Sequence, residues 1–583
     1  MKSRISFFDS AVFQKNLTRF APVWGLYTVF LLLSILLIIS EPNQFSVNLS
    51  YTAAGYGVIS FAYALICALL LFGDLYNPRL CNALHAMPVR RESLFVTNIA
   101  SGLAFSIGPT LLALVLSLGL SVSTNVENAL LSPLMCFAVM NLQFLFFFGT
   151  AVLCAFLAGN RFAMALIYGI VNFFSFLMFW LVDTIYTPFL YGLKTLEEPF
   201  ALLCPVVQML NSDYIDQNPN YAGFVTYTIT AADGWGYLGI CAAIGLAFIR
   251  LALLLYRRRK LECAGDFLAE KAGEPVFLVI YSLVIGCVFH FVWRVFIGDD
   301  TPILLFVGLV IGFFTGQMLL SRTVRVFRLR AMAGCVVLLV AVGISLILTA
   351  VDPLGIQTWI PEKHEVKSVS LYQNQSLYDS PGYVIRLEDA EDIETILQIH
   401  DAALNQTTAR ANSDGWVEIG PYDEKVYFED LRSVSFALEY RLQNGTVVRR
   451  YYRLWANTNA GSMLKELFSR VECVLGVQES ELEQHVQELT YMQLNEYNIY
   501  DRQEMLSLLQ AVAADCKAGT MAQSWAWRDS DTAENVMNIY CHRETEKGII
   551  YWYEIQVFDY NEHTLRWLEA HNVPTYQYGE GKY

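Results

Sequence analysis

His290 and Arg294 stand one helical turn apart inside a long apolar run, with Asp299 and Asp300 just beyond its end. An ionisable pair in hydrocarbon is costly to insert, so by default it marks an ion path, a relay or a ligand contact. The simpler reading is a helix-end ion pair from Arg294 to Asp299 or Asp300, and His290 with Arg294 is kept as a candidate intramembrane polar site. Catalytic signatures are otherwise missing. There is no G-x-x-x-x-G-K-[ST], so phosphates cannot be cradled by a P-loop, and no H-E-x-x-H or G-x-S-x-G. Asp183 and His290 are solitary and do not supply the paired groups that proteolysis inside a membrane requires. The acidic run Leu387–Glu394 reads as the acid-rich first turn of a helix. Nine cysteines lie before Gln357 without C-x-x-C spacing and read as small packing residues. Cys473, Cys516 and Cys541 are an odd set, and a bridge between Cys516 and Cys541 stays open. No cofactor site is expected.

The elements that would position these residues fall into two regimes. Over the 583 residues, 55% are hydrophobic and only 16% charged, whereas soluble domains average about a quarter charged. Of 39 basic and 54 acidic residues, 20 and 18 fall before Gln357 (net +2), leaving 19 and 36 after it (net −17). The change falls near Asp352-Pro353-Leu354-Gly355. An acidic C-terminal region lacks the Lys/Arg clusters that nucleic acid requires.

A helix needs about 20 apolar residues to cross ~30 Å of hydrocarbon. Nine runs qualify: Ala21–Ser40, Tyr51–Phe72, Leu94–Leu120, Leu131–Ala158, Phe162–Val182, Trp235–Tyr256, Pro275–Ile297, Pro302–Leu320 and Ala331–Val351. Basic residues alternate between connections. Arg79, Arg90 and Arg91 follow the second run, the Arg257–Lys260 cluster follows the sixth, and Arg322–Arg330 follows the eighth; the intervening connections are acidic or nearly free of Lys and Arg. By the positive-inside rule the N-terminus is cytoplasmic and the C-terminal region extracytoplasmic.

After Pro361 the pattern becomes α+β. Val366–Gln373 alternates as a strand, and Asp389–Asn405 has helical spacing. Ser433–Tyr440 and Val447–Leu454 flank Asn444-Gly445, a hairpin signal, and Ser462–Val471 reads as a helix. The order then recurs: strand Val486–Met492, helix Asp501–Lys517, hairpin Asn535–Cys541 with Gly548–Phe558, helix Asn561–His571. This suggests two repeat units, about 362–475 and 482–583.

The connection Gly73–Leu94 reads GDLYNPRLCNALHAMPVRRESL. Arg79–Ala86 is a short amphipathic helix candidate with Leu80, Ala83 and Leu84 on one face. Pro88 stops it and Arg90 follows. A short helix between two spans can receive force from a soluble partner. Tyr76, Arg79, Leu84-His85, Met87-Pro88, Arg90 and Leu94-Phe95 resemble the connection between the second and third spans of ATP-binding cassette exporter permeases of the second type. Leu255-Tyr256-Arg257, Arg259, Glu262, Ala264-Gly265 and Asp266 are similar to larger bacterial members with extra spans and an outer domain. The resemblance implies a permease dimer, homo- or heteromeric, and two separate ATPase subunits, with Arg79, Leu80, Leu84, Pro88 and Arg90 at the ATPase coupling point. It also implies an interfacial helix at Ser6–Phe20 and a re-entrant hairpin at Pro199–Leu210.

The expected architecture is an α-helical polytopic membrane protein with a C-terminal α+β domain, internally duplicated. Its parts are an interfacial helix (1–20), a six-helix permease core (21–256), a cytoplasmic connection (257–274), three further spans (275–356) and the outer domain (357–583). The expected activity is export of a substrate, with ATP hydrolysis in the partner chain. The alternatives are a sensory or resistance scaffold whose outer domain binds an antimicrobial peptide or envelope component, and an integral-membrane enzyme acting on lipid-linked substrates.

Overall fold

The structure is a computed structural model. It describes residues 8–38, 45–86, 90–122, 126–186, 189–190, 192–193, 202–220, 226–232, 234–259, 263–297, 302–373, 384–405, 416–419, 424–427, 433–455, 458–494, 497–521, 535–545 and 548–575. The chain forms two units, Met1–Tyr186 with Thr195–Ile347, and Thr187–Lys194 with Leu348–Tyr583. Among the described residues nine helices are long and apolar enough to cross a membrane.

In the first unit, the short helix α1 (Ser10–Arg19) leads into α2 (Ala21–Ile38) and α3 (Phe45–Phe72). Next come α4 (Pro78–Ala86), α5 (Arg91–Ser121), α6 (Leu131–Leu157) and α7 (Arg161–Leu181). The fifth connection carries α8 (Pro205–Leu210) and an antiparallel pair, β1 (Ile215–Asn220) and β2 (Thr226–Ala231). The sequence reading assigned no strands there. Of the expected re-entrant segment, 199–201 lies outside the described residues. The unit ends with α9 (Trp235–Arg258), α10 (Glu274–Ile297), α11 (Ile303–Ser321) and most of α12 (Leu329–Val351).

The hub is α6. In its apolar stretch 67% of the residues are buried, against 17% for α2 and for α12. Helices α3 and α9 lie along α6, and α5 and α7 also touch it. The α6–α9 crossing is backbone against backbone: a Cβ on Gly149 would sit 2.3 Å from the Gly245 carbonyl oxygen. Between α10 and α11, Gly308, Gly312 and Gly316 recur every fourth residue. A Cβ on Gly312 would come within 2.9 Å of Ser282 Cα. With no hydrophobic drive between helices in lipid, such close approach supplies van der Waals contact. Four buried hydroxyls of α5, those of Thr97, Ser101, Thr110 and Ser117, donate to carbonyls of the preceding turn, Thr97 Oγ1 to the Ser93 carbonyl at 2.7 Å, whereas Ser106 Oγ donates to Asn141 Oδ1 of α6 at 3.2 Å.

In the second unit, β3 (Val366–Gln373) and β4 (Val384–Leu387) precede α13 (Ala390–Asn405). A small pair, β5 (Trp416–Ile419) with β6 (Glu424–Tyr427), follows. Strands β7 (Ser433–Leu442) and β8 (Val447–Trp455) then lead to α14 (Asn459–Phe468) and α15 (Val471–Leu475). The β7–β8 turn places Gly445 at φ +84°, the left-handed region expected of Asn-Gly. The sheet order is β4-β3-β7-β8, all antiparallel. Val369, Leu371, Phe436, Leu438 and Leu454 meet Ile396, Ile399 and Leu464 in its core.

The second half holds α16 (Leu482–Glu488), β9 (Leu489–Leu494), β10 (Tyr497–Ile499) and α17 (Arg502–Lys517). After these come β11 (Asn535–Thr545), β12 (Gly548–Phe558) and α18 (Glu562–Ala570). Its sheet order is β10-β9-β11-β12. The strand expected over Val486–Met492 is corrected here: it starts at Leu489, and 482–488 is helical. Leu482, His485 and Val486 are buried at spacings of three and one, on one helical face, and the strand begins only at Leu489. The helix expected over Ser462–Val471 is broken at Ser469-Arg470 into α14 and α15. All twelve cysteines are free thiols, so Cys516 and Cys541 are not bridged.

Candidate functional site

Helix α4 is capped by the side chain that precedes it. Asn77 Oδ1 accepts from the Arg79 amide at 3.0 Å, satisfying a donor of the first turn. The segment 87–89, with Pro88, lies outside the described residues. Arg79 is exposed and Leu80 is 46% exposed, while Cys81 next to them is buried. Burial raises the Cys81 thiol pKa, and the Arg259 guanidinium opposes that shift. Leu84 lies in the helix, with its side chain outside the described set. Arg90 is exposed in extended backbone at the N-cap of α5. Beside it Glu92 pairs with Arg257 at 3.3 Å.

The turn that feeds α4, Gly73–Tyr76, is tied to four other elements. Tyr76 Oη donates to the Ala155 carbonyl at 3.2 Å. Arg259 Nη1 donates to the same carbonyl at 3.0 Å and to that of Phe156 at 3.3 Å, so the last turn of α6 gains a cation at its negative end. The Arg259 guanidinium also lies 6.0 Å from the centroid of the Tyr76 ring. Asp74 pairs with Arg19 of α1 at 3.3 Å. The Arg161 guanidinium lies against Gly73, 3.2 Å from where a Cβ would be.

Below this, the α6–α7 turn pairs with the connection after α9. The Gly159 amide donates to the Phe267 carbonyl at 3.0 Å, and the Gly265 amide to the Gly159 carbonyl at 2.7 Å. Arg322 closes the cluster on Asp266 Oδ1 at 2.8 Å. The turn before α4 and the residue that ends α9 thus donate to the same carbonyl of α6. Sequence reasoning singled out α4 but not Tyr76 with Arg259 as its link to the bundle. Both residues belong to the segments that carry the family resemblance, but nothing in the sequence pairs them.

Helix α1 is anchored by polar contacts that sequence reasoning also missed. Asp9 caps it, accepting from the Ala11 amide at 3.0 Å. Asn16 Nδ2 donates to Asn98 Oδ1 at 3.0 Å and to Ser101 Oγ at 3.1 Å on α5.

The other candidate, His290 with Arg294, lies elsewhere in the unit and is not brought near α4. His290 is fully buried, its ring centroid 5.3 Å from that of Trp180. Asp299 and Asp300 lie outside the described residues. Arg294 Nη1 donates to Thr184 Oγ1 at 3.2 Å. Thr184 belongs to a π-helical turn, Val182–Tyr186, that ends α7, and Tyr186 Oη meets Ser345 Oγ of α12 at 2.6 Å. This cluster joins α7 to α10 and α12.

Among the described residues there is no group of three or more His, Cys, Asp or Glu that could hold a metal ion. No family model matches this chain, and no curated protein and no solved structure matches it either.

Proposed function

We propose that the chain is the membrane subunit of an ATP-driven exporter, similar to the second-type permeases of the ATP-binding cassette group. One observation carries the reading: α4, a nine-residue helix between two candidate spans, exposes Leu80 while its base is fastened to α6 and α9. With no phosphate-binding loop in the sequence, energy must enter through another protein. In this reading two ATPase subunits seat against Arg79, Leu80, Leu84, Pro88 and Arg90 of a permease dimer. Closure of the ATPases pushes α4 and rocks the core (21–256) between inward- and outward-facing states. Residues 257–274 form the cytoplasmic connection and 275–356 the additional spans. The N-terminus is cytoplasmic and 357–583 extracytoplasmic. The outer domain is a duplicated unit, a reading supported by the shared strand order, second-first-third-fourth, in both sheets.

The test is co-purification with the ATPase. Leu84→Asp, or Leu80→Ser with Leu84→Ser, should abolish both capture and partner-stimulated hydrolysis, because truncated interface anchors typically cost about 2 kcal/mol or more. Membrane insertion should be unchanged. Undiminished capture and hydrolysis would overturn the proposal. Orientation is tested separately: a reporter fused after Tyr583 should be active only outside the cytoplasm.

A further inference from the structure

A cavity of about 230 Å³ opens between α1 and the ends of α3, α5 and α9. Its wall is apolar, with Phe20, Leu71, Leu94 and Phe95 among its residues. Its rim carries two cations one turn apart on α1, Lys15 and Arg19. Asp74 takes up part of the Arg19 charge at 3.3 Å, whereas Lys15 is exposed and has no ion pair among the described residues. The amides at the back of the cavity, Asn16 and Asn98, are occupied with each other, with Ser101 and with the Leu71 carbonyl. What remains to be matched is an apolar slot under one unpaired positive charge.

The depth of this cavity in the bundle narrows the choice of occupant. It lies where α3 ends at Phe72 and α5 begins at Arg91, the level at which two candidate spans leave the hydrocarbon. At ~30 Å³ per water-sized group the slot takes on the order of eight such groups, enough for part of one acyl chain but not for a folded partner. We propose that the cavity is a binding site for an anionic phospholipid of the surrounding leaflet. Its phosphate sits at Lys15, and one acyl chain enters beside Phe95. A free inorganic anion would leave the apolar wall bare, and a zwitterionic lipid would bring a choline cation that offsets the attraction of its phosphate to Lys15. The site would fix α1 in the interface, and it does not depend on the exporter reading.

The experiment is native mass spectrometry of the full chain in neutral detergent with equal phosphatidylglycerol and phosphatidylcholine. Wild type should retain the anionic lipid with a preference of about fivefold, the worth of one lysine beside an anionic headgroup. Lys15→Glu should bring the ratio to parity. Val12→Trp, which fills the slot without changing charge, should remove the retained lipid, while Arg325→Glu, outside the cavity, should change nothing. Thermal midpoints measured in phosphatidylcholine alone identify variants that fail to fold. Parity in wild type, equal loss in Lys15→Glu and Arg325→Glu, or full retention in Val12→Trp would each overturn the proposal. The second outcome would mean diffuse surface charge and the third a headgroup contact without the cavity.

Discussion

Gly192 lies on the ring of Tyr452: a Cβ at position 192 would sit 2.5 Å from Tyr452 Cε1. Its φ is +72°, and its carbonyl accepts from the Tyr451 amide at 3.0 Å. A piece of the connection after α7 is thereby built into the second unit, on the outer side of β8. Gly192→Val should lose this docking, since the left-handed backbone alone costs about 1–2 kcal/mol for a side chain with Cβ. Hydrogen exchange at the Tyr451 amide should quicken about 5- to 30-fold, the equivalent of 1–2 kcal/mol. Unchanged protection would mean that the segment is held by something else.

His400 bridges two buried tyrosines, with Nδ1 2.9 Å from Tyr440 Oη and Nε2 2.7 Å from Tyr452 Oη. Burial first, and the Arg450 charge second, push its pKa down to about 3. The imidazole is neutral in the folded state, while the unfolded chain takes up a proton near pH 6.5. Stability is thus fully present above about pH 6.5 and is lost as pH falls towards 3. His400→Gln should lower stability at pH 7 and flatten its dependence between pH 6 and 4, by up to ~1.4 kcal/mol per pH unit. Amide exchange of α13 in the full chain at several pH values measures this. Equal slopes in the two proteins would reject it.

Asp515 of α17 is buried and caps α18, accepting from the Thr564 amide at 2.8 Å, the Thr564 hydroxyl at 2.7 Å and the His563 amide at 3.0 Å. Asp515→Ala leaves three donors without their acceptor, which should cost about 2–3 kcal/mol. Asp515→Asn retains an acceptor oxygen and should cost less. Denaturant melts followed by tryptophan fluorescence would report on α18 through Trp567, which packs in the same core. Equal midpoints for all three proteins would show that the cap is dispensable.

Arg259 separates docking from transmission in the proposed exporter. Arg259→Met keeps the volume near Tyr76 but removes the hydrogen bonds to the end of α6. The ATPase should still co-purify, because Leu80 and Leu84 are untouched. Stimulated hydrolysis should fall about 2- to 30-fold, the range for coupling changes of 0.5–2 kcal/mol. Wild-type hydrolysis with normal capture would remove Arg259 from the path.

The membrane helices were legible because hydrocarbon thickness imposes a length on apolar runs. The expected run Trp235–Tyr256 became Trp235–Arg258, and Pro275–Ile297 became Glu274–Ile297. In the soluble region β3 and β7–β8 were legible from alternation and Asn444-Gly445. Strand β4 is four residues long, and β10 three, too short for a period to register. The last three residues of α16, Val486–Glu488, were read into the strand because the apolar positions of the helix run directly into those of β9. The partners at the candidate sites were not legible. Thr184 for Arg294 and Ala155 for Arg259 lie more than a hundred positions away, and tertiary packing alone chooses them.

The Gly192–Tyr451 contact joins positions 259 apart in the chain. At synthesis rates of about 5–20 residues per second, roughly 13–50 s pass between the emergence of the two sides of this contact. During that interval the segment around Gly192 has no β8 to rest on, while α9, α10, α11 and α12 are still being made. The second unit must therefore finish after the membrane helices, by recruiting a piece of chain that has waited for it. Closing a loop of that length carries about 5 kcal/mol of entropy beyond a constant term. A truncation before β8 would leave the waiting segment without a partner.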